Sequence, residues 1–237
     1  MHHIFEKGTL KHVSGESHTF EMRLLEDSDL EQMYKLRDDI ENSISEWDIL
    51  LPTPNEILHK GLGMKGMTCG TLVENKLVGL RSIHFPKRCD DGHIGLDACI
   101  SNDELDTVVE LKLSLVDHEY RRNNLQKRMT AHLMNAVKNH GSKINHCCAI
   151  VSPKNTASIA DKFAVEMTLS KIMLKNNKYW RCLFTKDMRK PHTIPSNKSI
   201  YVNNRDFKQQ STLLSNGFHG YKLERTAANT SAILYAK

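Results

Sequence analysis

The chain has 237 residues, of which 39% are hydrophobic and 6% aromatic, with only 12 glycines and 6 prolines. This balance predicts one medium-sized globular domain with a small appendix, and it excludes a fibrous or disordered chain. The net charge of +5 is uneven: residues 170–237 carry 13 Lys and Arg against 3 Asp and Glu, whereas residues 1–169 carry 20 against 25. A basic end suits nucleic acid or an anionic ligand. Without zinc-finger spacing or an aromatic ribonucleoprotein signature, we favour a solvated basic face or the entrance of an anion site.

Hydropathy and cysteine spacing exclude further classes. No apolar run approaches the roughly 20 residues that a membrane-spanning helix needs, and the first eight residues lack the apolar segment of a secretory signal. We therefore expect a cytoplasmic protein with no membrane partner. The six cysteines include no Cys-x-x-Cys pair, so the sequence indicates neither zinc nor a disulfide framework, and we expect free thiols, mostly buried.

Periodicity in the first half of the chain predicts strands that alternate with helices. The first predicted helix begins with acidic residues, and a turn of hairpin length joins the predicted strands at 69–73 and 77–83. In chain order these predictions are a strand at 18–24, a helix at 24–40, a short helix at 55–62, and strands at 69–73 and 77–83.

The second half begins with a polar loop at 88–106, followed by a strand at 107–116 with one apolar face. From Leu125 the period becomes helical, and Gly141 stands where a C-terminal cap is expected. The remaining predictions are a strand at 144–151, a helix at 153–166, a hairpin of 171–174 with 180–185, a linker at 190–197, a strand at 200–202, a helix at 206–214, and strands at 220–225 and 231–235.

The segment 116–129 carries the clearest chemical signal. It combines a strand end, a turn rich in Arg and Asn, and a helix N-terminus, which together offer unpaired amides and positive charge to a phosphate. Asn124 suits such a turn, because asparagine tolerates the left-handed backbone conformation better than most residues with a side chain. The segment therefore predicts an anion site.

These residues resemble the acetyl-CoA-binding motif of the GNAT superfamily of N-acetyltransferases, whose loop reads Arg/Gln-x-x-Gly-x-Gly/Ala after a central strand. Here the loop at 121–126 reads Arg-Arg-Asn-Asn-Leu-Gln, with Asn124 and Gln126 in place of the glycines. The order of predicted elements over 18–188 is similar to that of the superfamily, as is the segment 151–158. Glu110 lies eleven residues before Arg121, the spacing of a glutamate base in the histone-acetylating members.

The resemblance implies an α/β (α+β) fold with a mixed, mostly antiparallel central sheet flanked by helices and a C-terminal β-α-β extension. It divides the chain into an N-terminal extension at 1–17, an acetyltransferase domain at 18–188 and an extension at 189–237 packed on that domain. The last segment could be an added sheet segment, an acceptor lid or a dimerisation element, which would make a homodimer. Its apolar positions are too few to bury one another, so we expect them to cover a larger surface.

The resemblance also implies acetyl-CoA as cosubstrate, with no metal. The implied cofactor-binding residues are Leu115, Val116, Arg121, Arg122, Asn123, Asn124, Leu125, Gln126, Lys127, Asn155 and Ser158. Of these, a backbone amide near Leu115 or Val116 would stabilise the oxyanion of the tetrahedral intermediate where two central strands splay apart.

Catalysis of N-acetylation needs a base, because an alkyl ammonium has a pKa near ~10 and must lose a proton before it attacks the thioester. Glu110 is the first candidate; the alternative is a solvated carboxylate on the polar face of the strand. The tyrosine that usually protonates the departing thiolate is missing from 155–166, which leaves Tyr120 or Tyr179. His118 and His146 rank below Glu110, and an acetyl-thiol route would use one of the adjacent cysteines at 147 and 148.

Charge suggests which segment binds the amine acceptor, since residues 26–56 contain ten acidic residues but only two basic ones. They indicate a cationic acceptor such as an amine or a peptide end, although the same carboxylates could cap helices or lie in water. Trp47 could line the acceptor cleft or pack in the core. Two other functions stay open: a non-catalytic CoA-binding domain and a nucleic-acid-associated module that uses the basic end.

Overall fold

The computed structural model describes residues 3–44, 49–138, 143–175, 178–225 and 230–237. The chain forms two compact units, one of residues 1–85 with 111–143 and the other of residues 86–110 with 144–237. Trp47 and Gly141 lie outside the described residues, as does most of the predicted turn at 176–178.

Five strands form the sheet of the first unit, in the order β1-β2-β3-β4-β5, and the pairs from β1 to β4 are antiparallel. Helices α1 and α4 both pack on β4. The elements are β1 (Ile4–Lys11), β2 (Ser17–Leu24), α1 (Leu30–Ser43), α2 (Asn55–Lys60), β3 (Gly66–Val73), β4 (Lys76–His84), the 111–116 part of β5 (Val108–Val116), and α4 (Leu125–Lys138).

Strand β1 was not predicted, because its sequence has no sustained alternation of apolar and polar residues and contains Gly8. Pairing with β2 from Ile4 to Lys11 overrides this weak local preference. The turn between β3 and β4 follows the prediction closely. Glu74 and Asn75 have φ values of 49° and 65°, as a two-residue type I′ hairpin requires.

Helix α1 begins six residues later than predicted, because a 3-10 turn at Asp27–Asp29 precedes it. The buried Asp29 carboxylate receives two hydrogen bonds from Arg23, at 2.8 and 2.7 Å, and one from the Glu26 amide. These bonds fix the entry into the helix. Its apolar face, with Met33 and Leu36, packs with Leu58 and Leu80 in the core of the unit.

The sheet of the second unit has the order β5-β6-β8-β7-β10-β11-β9, and among its described residues the β5–β6 pair is parallel while the other pairs are antiparallel. The elements are α3 (Ile94–Asp97), the 108–110 part of β5, β6 (His146–Val151), α5 (Thr156–Ala164), β7 (Thr168–Lys175), β8 (Tyr179–Asp187), β9 (Ser199–Asn203), α6 (Phe207–Ser215), β10 (His219–Arg225) and β11 (Ser231–Ala236). The expected mixed, mostly antiparallel fold class is confirmed.

The C-terminal strands continue this sheet beyond β7. Gly220 of β10 pairs with Leu169 of β7, and a Cβ at Gly220 would approach the Leu169 side chain to 3.1 Å, so the close pairing favours glycine. Helix α6 packs against β7, and α5 packs against β10. The buried Tyr235 hydroxyl donates to Gln210 of α6 at 2.8 Å, which satisfies its polar group inside the core.

Among the described residues, no helix is long and apolar enough to cross a membrane.

We predict a pH-dependent contribution of His84 to stability. His84 is 6% exposed, its Nε2–H donates to the Ile57 carbonyl, and burial together with Lys112 lowers its pKa from 6.5 to about 4. At a pH between these two pKa values, the unfolded chain binds a proton at His84 more strongly than the folded protein does. The free energy of unfolding therefore falls as the pH drops below 6.5. His84→Gln keeps a donor without titrating. The stability of the wild type relative to this variant should fall by about 2 kcal/mol between about pH 7.5 and about pH 5 in urea titrations.

Deletion of residues 190–237 should destabilise the protein, because it uncovers the edge of β7 and removes the partners of Leu169 and α5. We expect aggregation or an unfolding midpoint lower by roughly 10 °C, measured by calorimetry. A soluble truncated protein with an unchanged midpoint would contradict this, and steep salt-dependent binding of a DNA duplex by the intact chain would then favour a nucleic-acid module.

Candidate cofactor and active site

The chain reverses between β5 and α4 through residues 117–124, which we call the β5–α4 turn. A single 3-10 turn, His118–Tyr120, opens it, and the Asp117 side chain accepts a hydrogen bond from the Glu119 amide there. Arg122 and Asn124 then take left-handed conformations, with φ values of 69° and 55°. A residue with a side chain in this region costs about 1 kcal/mol, so bonds elsewhere must hold the turn.

Helix α4 starts directly after this turn. The Asn124 carbonyl accepts a hydrogen bond from the Arg128 amide at 3.0 Å, which makes Asn124 the residue before the first helical position. By helix geometry the next three amides have no acceptor inside the helix, and their dipoles favour an anion. The first turn of the helix contains no acidic residue. The side chains of Arg121, Arg122 and Lys127 are exposed around it, so the residues present fit a pyrophosphate group.

Three residues near the turn bind elsewhere in the first unit. Arg128 donates to Glu6 at 2.6 Å and lies over the Phe20 ring, so its charge is already paired. The Tyr120 hydroxyl shares a hydrogen bond of 2.8 Å with His18 Nδ1, and burial raises the pKa of Tyr120. The Asn123 side chain bonds to the backbone of β1.

Leu115 and Val116 form the end of β5, with Leu115 buried and Val116 half-buried. Just beyond them, the Asp117 amide donates to the Val78 carbonyl of β4 at 2.9 Å. Among the described residues, the parallel ladder of β5 with β6 joins only three pairs, from 108 with 146 to 110 with 148.

Glu110 is 3% exposed, so it is not the solvated carboxylate of the alternative interpretation. Its Oε1 accepts a hydrogen bond from the Ile94 amide at 2.7 Å, at the start of α3, and lies 3.8 Å from His93 Nδ1. The Gly95 amide donates to the same nitrogen of His93, which is buried. These bonds explain why a short helix forms within the segment predicted as a polar loop.

Asn155 caps helix α5, and its side-chain oxygen accepts a hydrogen bond from the Ser158 amide at 2.9 Å. Lys162, seven residues after Asn155, lies on the same face of the helix by its spacing and is only 2% exposed. Its ammonium is 2.6 Å from the buried Asp161 carboxylate.

The thiols at 147 and 148 are buried, and burial raises the pKa of the Cys148 thiol. A neutral, buried thiol is a poor nucleophile, which disfavours the acetyl-thiol route. Within the described ranges, no group of three or more His, Cys, Asp or Glu side chains could hold a metal ion.

Several acids of the 26–56 segment have structural partners. Besides Asp29, Asp38 pairs with Arg37 at 2.7 Å, and Glu41 accepts from the Thr53 amide at 2.7 Å. Glu46 and Asp48 lie outside the described residues. Exposed carboxylates that remain include Asp27, Glu31, Asp39 and Glu56.

Comparison with known proteins identifies the fold. No protein-family model and no curated protein sequence matches the chain. Solved structures do match it: an acetyltransferase of the GNAT family from Streptococcus pneumoniae has a TM-score of 0.55 and 11% identity, covering 71% of this chain and 99% of that one. The GNAT domain of S. lividans PAT has a TM-score of 0.53 and 9% identity, covering 77% and 97%. A Salmonella typhimurium structure solved with its cofactor acetyl-CoA has a TM-score of 0.52 and 12% identity, covering 76% and 99%. The chain therefore has the GNAT fold.

Proposed function

We propose that the protein is an acetyl-CoA-dependent N-acetyltransferase that moves the acetyl group to a primary amine by direct attack in a ternary complex. The observation that carries the proposal is the turn with two left-handed residues that leads into the N-terminus of α4 on a GNAT fold. The Salmonella typhimurium structure with this fold has acetyl-CoA as its cofactor, which supports the choice of cosubstrate.

In this proposal the loop from Arg121 to Lys127 binds the CoA pyrophosphate. The amides of Leu125, Gln126 and Lys127 supply hydrogen bonds, while the exposed arginines add positive charge. Asn155 and Ser158 at the start of α5 are proposed as further cofactor contacts, and an amide near Leu115 or Val116 as the oxyanion donor.

Glu110 is the proposed base, acting on the amine through water. Its place on the central strand and its burial support this role, since a base must be held in a defined position relative to the amine. Its bond to the Ile94 amide fixes the orientation of the carboxylate. The exposed acids of the 26–56 segment support a cationic acceptor.

Calorimetry with acetyl-CoA, followed by a panel of amines assayed for CoA release, tests the proposal as a whole. Binding with amine-dependent CoA release supports the transferase. Binding without release under any amine would favour a non-catalytic CoA-binding domain. Absence of binding would remove the proposed cosubstrate.

The left-handed turn makes a specific prediction for Asn124. Proline cannot reach a φ of 55°, so Asn124→Pro should weaken acetyl-CoA binding more than roughly tenfold. Glycine adopts this conformation freely, so Asn124→Gly is the matched control and should bind within about threefold of the wild type. Equal affinity of a folded Asn124→Pro protein would contradict the assignment of the loop.

The proposed base is tested by Glu110→Gln, which is isosteric and keeps an oxygen for the Ile94 amide. We expect kcat to fall by ~10² to 10⁴ while affinity for acetyl-CoA stays within a few-fold, measured by steady-state kinetics and calorimetry. Near-normal turnover of the variant at neutral pH would show that Glu110 only stabilises α3.

A further inference from the structure

The Asn123 side chain pairs with a single residue of β1 as a neighbouring strand would. Its Oδ1 accepts a hydrogen bond from the Lys11 amide at 3.0 Å, and its Nδ2 donates to the Lys11 carbonyl at 2.8 Å. Lys11 lies opposite Ser17 in the β1–β2 register, at the outer edge of the sheet. Since both Lys11 groups bind Asn123, they point away from β2 and would otherwise be unpaired edge groups.

Other bonds join the same hairpin, residues 4–24, to the β5–α4 turn and the start of α4. The Val13 amide donates to the Glu119 carbonyl at 2.9 Å, and His18 bonds to the Tyr120 hydroxyl. Below the turn, Glu6 of β1 accepts from Arg128 of α4, and this bond lowers the pKa of Glu6. The hairpin therefore binds the turn through Lys11, Val13 and His18, and it binds α4 through Glu6.

Asn123 has a special place in this arrangement because it stands between the two left-handed residues, Arg122 and Asn124. Its Nδ2 also donates to the Tyr120 carbonyl at 3.0 Å, so the same side chain binds both Lys11 and the end of the 3-10 turn. Neither left-handed residue is glycine, so the chain does not prefer this conformation locally. External hydrogen bonds are needed to hold the amides of α4 toward an anion.

We propose that Asn123 is a positioning residue: it fixes the cofactor loop by pairing with Lys11, and contributes to acetyl-CoA affinity through the loop backbone. This inference rests on the proposed function, since it concerns how the acetyl-CoA site is held. It identifies the β1–β2 hairpin as part of that site.

The test compares Asn123→Ala with Lys11→Ala. Asn123→Ala removes the bonds to Lys11 and Tyr120, whereas Lys11→Ala leaves the Lys11 backbone groups in place and is the matched control. Two measurements are made on the full chain: acetyl-CoA affinity by calorimetry, and amide hydrogen exchange over residues 117–128 without ligand. We expect Asn123→Ala to bind acetyl-CoA about tenfold more weakly and to exchange faster in this segment. KM for acetyl-CoA should rise with kcat nearly unchanged, and Lys11→Ala should resemble the wild type.

A second variant keeps the inference testable if Asn123→Ala folds poorly. Lys11→Pro removes only the amide that donates to Asn123, at an edge position where the N–H does not face β2. It should weaken affinity and speed exchange in the same direction. If both variants fold, the double variant should be no weaker than Asn123→Ala, because the two changes break one pairing.

The possible outcomes separate the inference from the proposed function. Unchanged affinity and exchange in Asn123→Ala would overturn the positioning role. Weaker affinity with unchanged exchange would also overturn it, because Asn123 would then contact the cofactor directly. If the wild type itself fails to bind acetyl-CoA, the proposed function fails, and the exchange measurement alone decides whether Asn123 holds the turn.

Discussion

The reversal of the chain between β5 and α4 is the constraint on which the candidate site depends. It requires left-handed backbone at two positions separated by one residue, Arg122 and Asn124, and glycine occupies neither. A glycine turn would adopt this shape without assistance, but this one must be held by its surroundings. The hairpin at the N-terminal edge of the sheet provides several of those bonds, from residues far away in sequence.

Glu110 has a structural partner in addition to its proposed role as base. The Glu110 carboxylate accepts a hydrogen bond from the Ile94 amide. This bond gives a partner both to an amide at the start of α3 and to a buried carboxylate in β5. A base for amine acetylation would need the same burial and fixed orientation. The two roles are therefore compatible, and only the isosteric amide variant separates them, because it preserves the bond and removes the proton acceptor.

Sequence predicted the elements whose signal is local. The change of period at Leu125, the turn at Glu74 and Asn75, and the helix that follows Asp206 all depend on neighbouring residues, and the structure contains each of them. Strand β1 and helix α3 escaped prediction because they depend on distant partners, β2 and Glu110. The same reason explains Asn123, whose residue type indicated a turn but whose partner Lys11 lies 112 positions away.

The charge of the C-terminal region is another property that can be counted in the sequence but whose arrangement in space only the structure gives. The excess of basic residues after 170 invites comparison with nucleic-acid-binding proteins. In the second unit, however, Arg189 lies between Asp187 and Glu104, Lys186 pairs with Glu166, and Lys222 pairs with Glu224. Charges paired in this way project a weaker field than the sequence count implies, because each cation is offset by a carboxylate within hydrogen-bond distance. The basic excess therefore reflects in part the ion pairs of strand ends and loops, and segment charge alone is weak support for a polyanionic partner.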